Sequence, residues 1–343
     1  MTPLLRATDH GLYCEAGDFH VDPWRPVARA IVTHAHADHA RWGCQHYLVA
    51  APGLGVFRER LPGAHIEGLP YGEPTTVNGV RVSFHPAGHL LGSAQVRVEH
   101  RGEVWVVSGD YKVEADRTCA PFEPVRCDTF ISESTFGLPV YRWRPEDSIY
   151  AEINAWWGAN QERALTSVLC AYALGKTQRL LAGLDPSIGP ILLHGASVRL
   201  TDAYRAGGVN LPPTLPATVE NAAATKGRAL VLAPPSALGT PWLRKFEPAS
   251  LAMASGWMQI RGTRRRRAMD RGFVLSDHAD WPGLLSAIEA TGAERIGVTH
   301  GYTESLVRWL RERGRDAWVV PTRYEGESGD AAAESDPPTE PPA

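Results

Sequence analysis

Thr33-His34-Ala35-His36-Ala37-Asp38-His39 decides how the rest of this chain is read. It places three imidazoles and a carboxylate within six residues, in the spacing H-x-H-x-D-H. Such nitrogen and oxygen donors suit zinc. The preceding Arg29-Ala30-Ile31-Val32-Thr33 reads as a strand that delivers the cluster. In an extended segment, side chains two residues apart point the same way, so His34 and His36 can reach one ion. A turn after them would aim Asp38 and His39 at a second ion. Isolated histidines such as His10, His20, His46, His65 and His100 are read instead as structural or surface residues.

Six residues cannot complete two metal sites, so further ligands are expected at strand ends elsewhere. His89 lies in Pro86-Ala87-Gly88-His89-Leu90-Leu91-Gly92-Ser93, among glycines that let backbone pass close to a ligand. Asp110 follows the apolar Val104-Trp105-Val106-Val107, and a carboxylate there could bridge two cations. His300 ends Gly297-Val298-Thr299-His300-Gly301, again a strand leading into a turn. Asp22, in Val21-Asp22-Pro23-Trp24, is a candidate to hold a ligand histidine in one tautomer.

Around these positions the first 145 residues read as short strands joined by tight turns. Asn78-Gly79 before Val80-Arg81-Val82-Ser83-Phe84 signals a hairpin, and residues 95–99 and 103–107 flank a second one. Residues 145–161 read as a capped helix, 165–169 as a strand and 171–182 as a helix. Apolar runs at 191–194 and 229–233 add strands, so the middle of the chain predicts a small parallel α/β unit. After residue 271 short strands return, followed by amphipathic helices at 281–290 and 303–313. The pattern is a sheet domain interrupted by an α/β insertion and completed by the last fifth of the chain.

Of the 343 residues, 43% are hydrophobic and 21% charged, an ordinary globular mix. No stretch approaches the run of about 18 apolar residues that a membrane span needs. The first residues lack a basic start with an apolar core, so no signal peptide is expected. Cys14, Cys44, Cys119, Cys127 and Cys170 are odd in number and none forms a C-x-x-C pair, which argues for a reducing cytoplasm. Residues 324–343 hold six acids and no base, are rich in Pro, Gly and Ala, and are predicted to be a disordered tail. Setting those six of the 38 acids aside leaves 32 against 35 bases, a balance that permits nucleic-acid binding without demanding it.

In this order and context the residues resemble the metallo-β-lactamase superfamily, and within it the β-CASP nuclease branch. Ser132-Glu133-Ser134-Thr135-Phe136-Gly137 is similar to that branch's motif A, Ser276-Asp277-His278-Ala279-Asp280 to motif B, and Thr299-His300-Gly301 to motif C. Ala173-Leu174-Gly175-Lys176-Thr177-Gln178-Arg179 resembles the A-L-G-x-x-Q segment of cleavage-and-polyadenylation endonucleases. The resemblance implies an αββα sandwich carrying an inserted β-CASP α/β domain. Residues 1–145 would form its first part, 146–267 the insert and 268–323 the completing part. It implies two Zn2+ ions, with Mn2+ as the alternative metal. His34, His36 and His89 would hold one, Asp38, His39 and His300 the other, and Asp110 would bridge them. Asp38 would orient the attacking water, and His278, hydrogen-bonded by Glu133, would serve as general acid.

Gly17-Asp18-Phe19-His20-Val21-Asp22-Pro23-Trp24-Arg25-Pro26 and Phe273-Val274-Leu275-Ser276-Asp277-His278-Ala279-Asp280-Trp281 resemble the bacterial ligase-associated DNA exonucleases. That implies attack on single-stranded or frayed DNA ends, from the 5′ end, in a repair pathway shared with a DNA ligase and a helicase. RNA processing is the alternative, favoured by a histidine at position 300 and by the A-L-G segment. A small-molecule hydrolase on the same fold would not need the insert, Glu133 or His278. Lys176 and the run Arg264-Arg265-Arg266-Arg267 are candidate phosphate contacts, with a solvated basic face as the competing reading of the run. Trp156, Trp157 and Trp257 are read as core packing rather than as base-stacking platforms.

Overall fold

The computed structural model describes residues 3–260 and 269–323, which form two compact units divided at Arg142/Trp143 and Asp277/His278. Among the described residues the strands form three sheets. In the first unit, β1 (Arg6–Thr8), β2 (Gly11–Cys14), β3 (Phe19–Val21), β4 (Arg29–Ile31), β5 (His46–Ala50) and β6 (Ile66–Leu69) lie in sequence order in one sheet. The second sheet runs β19 (Asp316–Val319), β18 (Arg295–Thr299), β11 (Thr129–Glu133), β10 (Glu103–Val107), β9 (Ala94–His100), β8 (Val80–Pro86) and β7 (Pro74–Val77). Its β7–β8 and β9–β10 hairpins are closed by Asn78-Gly79 and Arg101-Gly102. All four of these residues have positive φ, as a two-residue type I′ turn requires.

Side-chain alternation along the strands builds the layers. Val107, Trp105 and Ile131 face a core shared with Val21, Ile31 and Ala50 of the first sheet. Val106 and Phe130, one residue out of phase, face a second core with Leu284, Ile288, Leu306 and Leu310. The latter four lie on helices α6 (Trp281–Thr291) and α7 (Thr303–Arg311). On the outer face of the first sheet, α1 (Leu54–Arg60) presses Leu54 against Gly68, where a Cβ would meet Leu54 Cδ1 at 2.5 Å. The layers therefore run α-β-β-α, as expected. Helix α6 starts with Asp280 accepting from Gly283 N at 2.9 Å and stops at Gly292, φ 66°.

The second unit carries an all-parallel sheet ordered β14 (Leu215–Pro216), β13 (Ile191–Leu193), β15 (Leu230–Ala233), β12 (Thr166–Cys170), β16 (Ala249–Ala254), β17 (Arg271–Phe273). Parallel neighbours need crossover connections. Helices α3 (Lys176–Gly183), α4 (Gly195–Ala206) and α5 (Val219–Ala224) lie in them, while α2 (Glu146–Glu162) leads into β12. Trp156 and Trp157 are buried, their indole N–H groups donating to Ser250 Oγ (3.3 Å) and Arg228 O (2.9 Å), so both pack in the core.

Two expectations change here. The insert extends past residue 267, because Arg271–Phe273 pairs with β16 as the last strand of its sheet. The helix expected from residue 171 starts only at Lys176. Residues 171–175 form a loop that turns at Gly175 (φ 81°), where Gln178 Oε1 accepts from Gly175 N at 2.8 Å. Arg264, Arg265, Arg266 and Arg267 and the acidic segment 324–343 lie outside the described residues. The five cysteines are free. Among the described residues no helix is long and apolar enough to cross a membrane.

Candidate metal centre

Four loops of the first unit carry the expected ligands to one place, and each is shaped by a local necessity. The H-x-H-x-D-H segment leaves β4 and is tied to the His89 loop by Ala94 N donating to Thr33 O (2.8 Å). The His89 loop turns at Gly88 and Gly92, both at positive φ. A Cβ there would meet Lys112 O at 2.2 Å and Gly53 Cα at 2.1 Å respectively. Ser93 Oγ accepts from His89 N and Leu90 N, at 3.1 Å each. Asp110 follows Gly109, where a Cβ would stand 2.6 Å from the Thr33 side chain. His300 follows β18 at φ 53°, a strained conformation for a histidine. Ser134 Oγ donates to the backbone carbonyls of Thr299 and His300, locking the motif A loop to motif C.

Three groups of donors result, Asp110 with Glu133 and His278 being one and the other two matching the expected ligand sets. His34, His36, His89 and Asp110 offer atoms that lie within 4.8 Å of one another, as do Asp38, His39 and His300. The rings of His34, His36 and His89 stand 4.8–4.9 Å apart, all edge-on. His89 Nε2 is 3.1 Å from His36 Nδ1. Asp110 Oδ2 lies 3.5 Å from His34 Nε2, 3.6 Å from His39 Nε2 and 4.0 Å from His89 Nε2, so one carboxylate oxygen touches both groups. His39 Nε2 is 3.5 Å from Asp38 Oδ2, and its ring stacks on His300 at 5.1 Å. Donors held about 2.0–2.2 Å from one tetrahedral ion stand about 3.3–3.6 Å apart. The distances given above within each group, 3.1–4.0 Å, bracket that range.

The hydrogen bonds behind the donors fix their tautomers. Asp22 accepts from Thr33 N (2.8 Å) and Thr33 Oγ1 (2.7 Å), and its Oδ2 lies 2.7 Å from His39 Nδ1. Having spent its single proton on Asp22, the Thr33 hydroxyl accepts from His34 Nδ1 at 3.0 Å. Both imidazoles thus carry N–H at Nδ1 and present Nε2 to the centre. His34 Nε2, His39 Nε2, Asp38 Oδ1, Asp110 Oδ1 and His300 Nδ1 are buried with no hydrogen-bond partner. Orphaned buried polar atoms are rare and costly, and five converging in one place fit a cation.

Electrostatics point the same way. Burial alone would lower His39, but Asp38, Asp110 and Asp22 outweigh it and hold the imidazole well above the usual histidine range. Burial, then His39, pushes His34 and His300 down. Asp110 would be raised by burial, yet His39 and His278 keep it well below the usual carboxylate range. Asp38 is lowered in the same contest between burial and His39. Without a metal, one proton on His39 thus stands in for a cation among the carboxylates.

Beside the first donor group sits a pair that the expected roles also require. Glu133 at the end of β11 is fully buried, accepts from Tyr111 N (2.8 Å), and has both oxygens 3.0 Å from His278 Nδ1. His278 is also buried, with its ring 4.7 Å from that of His89. Neither side chain reaches the surface, and the cap of α6 is made by Asp280 rather than His278.

One expectation fails. Lys176 is buried within the insert, its Nζ 3.1 Å from Asp277 Oδ2 and 3.4 Å from Leu275 O, so it is no surface phosphate contact. Thr33, Ser93 and Ser134 went unremarked as supports. Their signal was adjacency, since each lies within four residues of an expected site residue. His46 and His65 form a separate exposed pair, with Nδ1 atoms 2.6 Å apart.

No family model matches the chain. A protein of Opitutus terrae named "Probable DNA ligase" is 33% identical over 315 residues, which are 91% of this chain and 30% of that protein. "Endoribonuclease ysh-1" of Neurospora crassa is 33% identical over 129 residues, 35% of this chain and 14% of that one. "Cleavage and polyadenylation specificity factor subunit 3" of Dictyostelium discoideum is 32% identical over 128 residues, 35% of this chain and 16% of that protein. The chain therefore spans less than a third of the length of these relatives. A crystal structure of an Enterococcus faecalis V583 protein of unknown function shares the fold, with a TM-score of 0.59 at 12% identity, over 86% of this chain and 79% of that one.

Proposed function

The chain belongs to the β-CASP nuclease branch of the metallo-β-lactamase family, and from that premise we propose that it is a metal-dependent DNA exonuclease. It would hydrolyse phosphodiester bonds at single-stranded or frayed ends, from the 5′ end, in DNA repair. The observation that carries the choice of DNA is the Opitutus protein, which matches nearly the whole chain and is named for ligation of DNA. A DNA ligase and a helicase are the partners this reading implies.

His34, His36 and His89 would hold one zinc and Asp38, His39 and His300 the other, with Asp110 between them and Mn2+ as the alternative metal. When bound, such an ion pair clamps a phosphodiester and lowers the pKa of a water toward neutrality. Asp22 and Thr33 keep the Nε2 atoms of His39 and His34 aimed inward. Asp38 accepts a hydrogen bond from the attacking water and turns its oxygen toward phosphorus. As the bond to the leaving oxygen breaks, His278 gives that oxygen its proton. Glu133 holds the ring at Nδ1 and stabilises its cationic form beforehand.

A ribonuclease is the second reading, favoured by relatives named as endoribonuclease and cleavage factor and by the histidine at position 300. A time course on matched DNA and RNA oligonucleotides, labelled in turn at each end, decides between them. It uses metal-reconstituted protein beside Asp110→Ala. Metal-dependent release of nucleotides from the 5′ end of DNA, with RNA intact, is the expected result. Internal cutting of RNA in preference to DNA would overturn the proposal.

A further inference from the structure

We propose that the buried cluster Lys176–Asp277–Arg179 is a positioning device for the general acid His278. The inference rests on the proton-donating role just assigned to that residue. Within the insert, Lys176 Nζ lies 3.1 Å from Asp277 Oδ2, and Arg179 Nε lies 3.3 Å from Asp277 Oδ1. Arg179 Nη1 also donates to Ser276 O at 2.7 Å, and Lys176 Nζ to Leu275 O at 3.4 Å. Two cations one turn apart on α3 therefore grip three consecutive residues, 275–277. The next residue in the chain is His278.

The grip has a rigid base. The first turn of α3 is tied down by Thr177 Oγ1 donating to Tyr172 O (2.7 Å) and Gln178 Nε2 donating to Thr201 Oγ1 (2.9 Å). Arg179 is balanced by Glu146 as well, with Nη1 3.3 Å from Oε1. Lys176, Arg179 and Asp277 are each at most 2% exposed. Burying such charges costs desolvation that well-packed apolar side chains of similar size would avoid, so stability alone does not account for the cluster. What ionic contacts supply is directional placement of a backbone segment. Glu133 fixes the rotation of the His278 ring through Nδ1, but it cannot fix where the backbone that carries the ring stands. The cluster does that for the preceding peptides. This also gives the A-L-G-K-T-Q-R segment a purpose other than touching phosphate.

A general acid matters when the leaving oxygen is basic, as a nucleoside alkoxide is. It matters little for bis(p-nitrophenyl) phosphate, whose nitrophenolate leaves without a proton. The test compares kcat on a DNA oligonucleotide and on that ester for Lys176→Met and Asp277→Asn, with His278→Ala as reference. Bound metal and the melting transition are measured for each. Expected is a fall of about 10- to 100-fold in kcat on DNA, the scale of a 1 Å misplacement, with metal content retained and the ester hydrolysed nearly as before. Parallel losses on both substrates, or unchanged turnover of DNA by a folded variant, would overturn the proposal. Should Asp277→Asn not fold, Lys176→Met, which leaves Arg179 to neutralise Asp277, carries the test alone. If His278→Ala itself shows no dependence on the leaving group, the general-acid reading fails and the device has nothing to position. If only the cluster variants lack that dependence, the proposal alone fails.

Discussion

Replacing Thr33 by valine removes one oxygen and nothing else of consequence in shape, yet that oxygen joins Asp22 to His34. Its hydroxyl donates to Asp22 Oδ2 at 2.7 Å and accepts from His34 Nδ1 at 3.0 Å. In Thr33→Val the His34 N–H has no acceptor in a site that is 0% exposed. The ring must then leave that proton unpaired or move it to Nε2, the atom that faces the metal. A lost partner that strands a buried donor costs about 1–3 kcal/mol. Loss of such a support behind a ligand weakens metal binding by about 10- to 100-fold, and at 1.4 kcal/mol per tenfold the two scales agree. His39 keeps its own 2.7 Å contact with Asp22, so the second donor group should be spared. Competition titrations against a chromophoric chelator should therefore resolve one weakened site and one nearly native site. Equal weakening at both, or native affinity at both in a folded protein, would refute the relay.

Asp110→Ala should strip most of the metal and abolish hydrolysis, and retained activity with two bound ions would remove Asp110 from the bridging position. Gly301→Ala places a Cβ 2.4 Å from Ser134 O at a φ of 68°, so the motif C turn must move. A drop of several degrees in Tm with weaker binding at the second site is expected, and an unchanged Tm would count against the interlock. The raised His39 contributes to the stability of the metal-free protein. That contribution is complete below the unfolded value of about 6.5 and is lost as pH rises through the raised folded value. Metal binding must expel the same proton, so metal affinity should increase over the range in which metal-free Tm declines. Calorimetry in buffers of different ionisation enthalpy should detect the release, and no released proton at neutral pH would sink the assignment.

The gathering of these donors was legible in the sequence because its constraints are local. Three donors per ion need a tight motif plus strand-end residues among glycines. His34, His36 and His39 announce the first, and His89, Asp110 and His300 sit where a strand stops. Asp22 could be guessed because a ligand imidazole needs a partner at its other nitrogen. Thr33 and Ser134 offered only their adjacency to site residues, because a hydroxyl's role depends on which backbone its neighbours bring near. Lys176 shows the opposite failure. A lysine in a polar segment looks like a surface charge until Asp277, a hundred residues on, neutralises it inside the insert. The end of the insert was misplaced for the same reason. Arg271–Phe273 is three residues long, and pairing with β16, not its own composition, assigns it to that sheet.

The same charges bear on how a polyanion could be handled at so buried a place. Without metal, Asp22, Asp38 and Asp110 surround a protonated His39, leaving two net negative charges, an environment that repels phosphate. Two divalent ions held there would bring four positive charges and displace the His39 proton, turning the balance to one net positive charge. Glu133 and His278, 3.0 Å apart, stand beside it. At an effective dielectric of about 20, one unit charge acting on another at 4 Å is worth about 4 kcal/mol. A reversal of sign therefore outweighs most contacts that a single nucleotide could make. Phosphodiester binding should accordingly depend on metal even where no bond is cut. Fluorescence anisotropy with a phosphorothioate-ended oligonucleotide and His278→Ala protein, with and without metal, measures that directly. Equal affinity in both states would mean that other parts of the chain hold the strand and that the centre supplies chemistry alone.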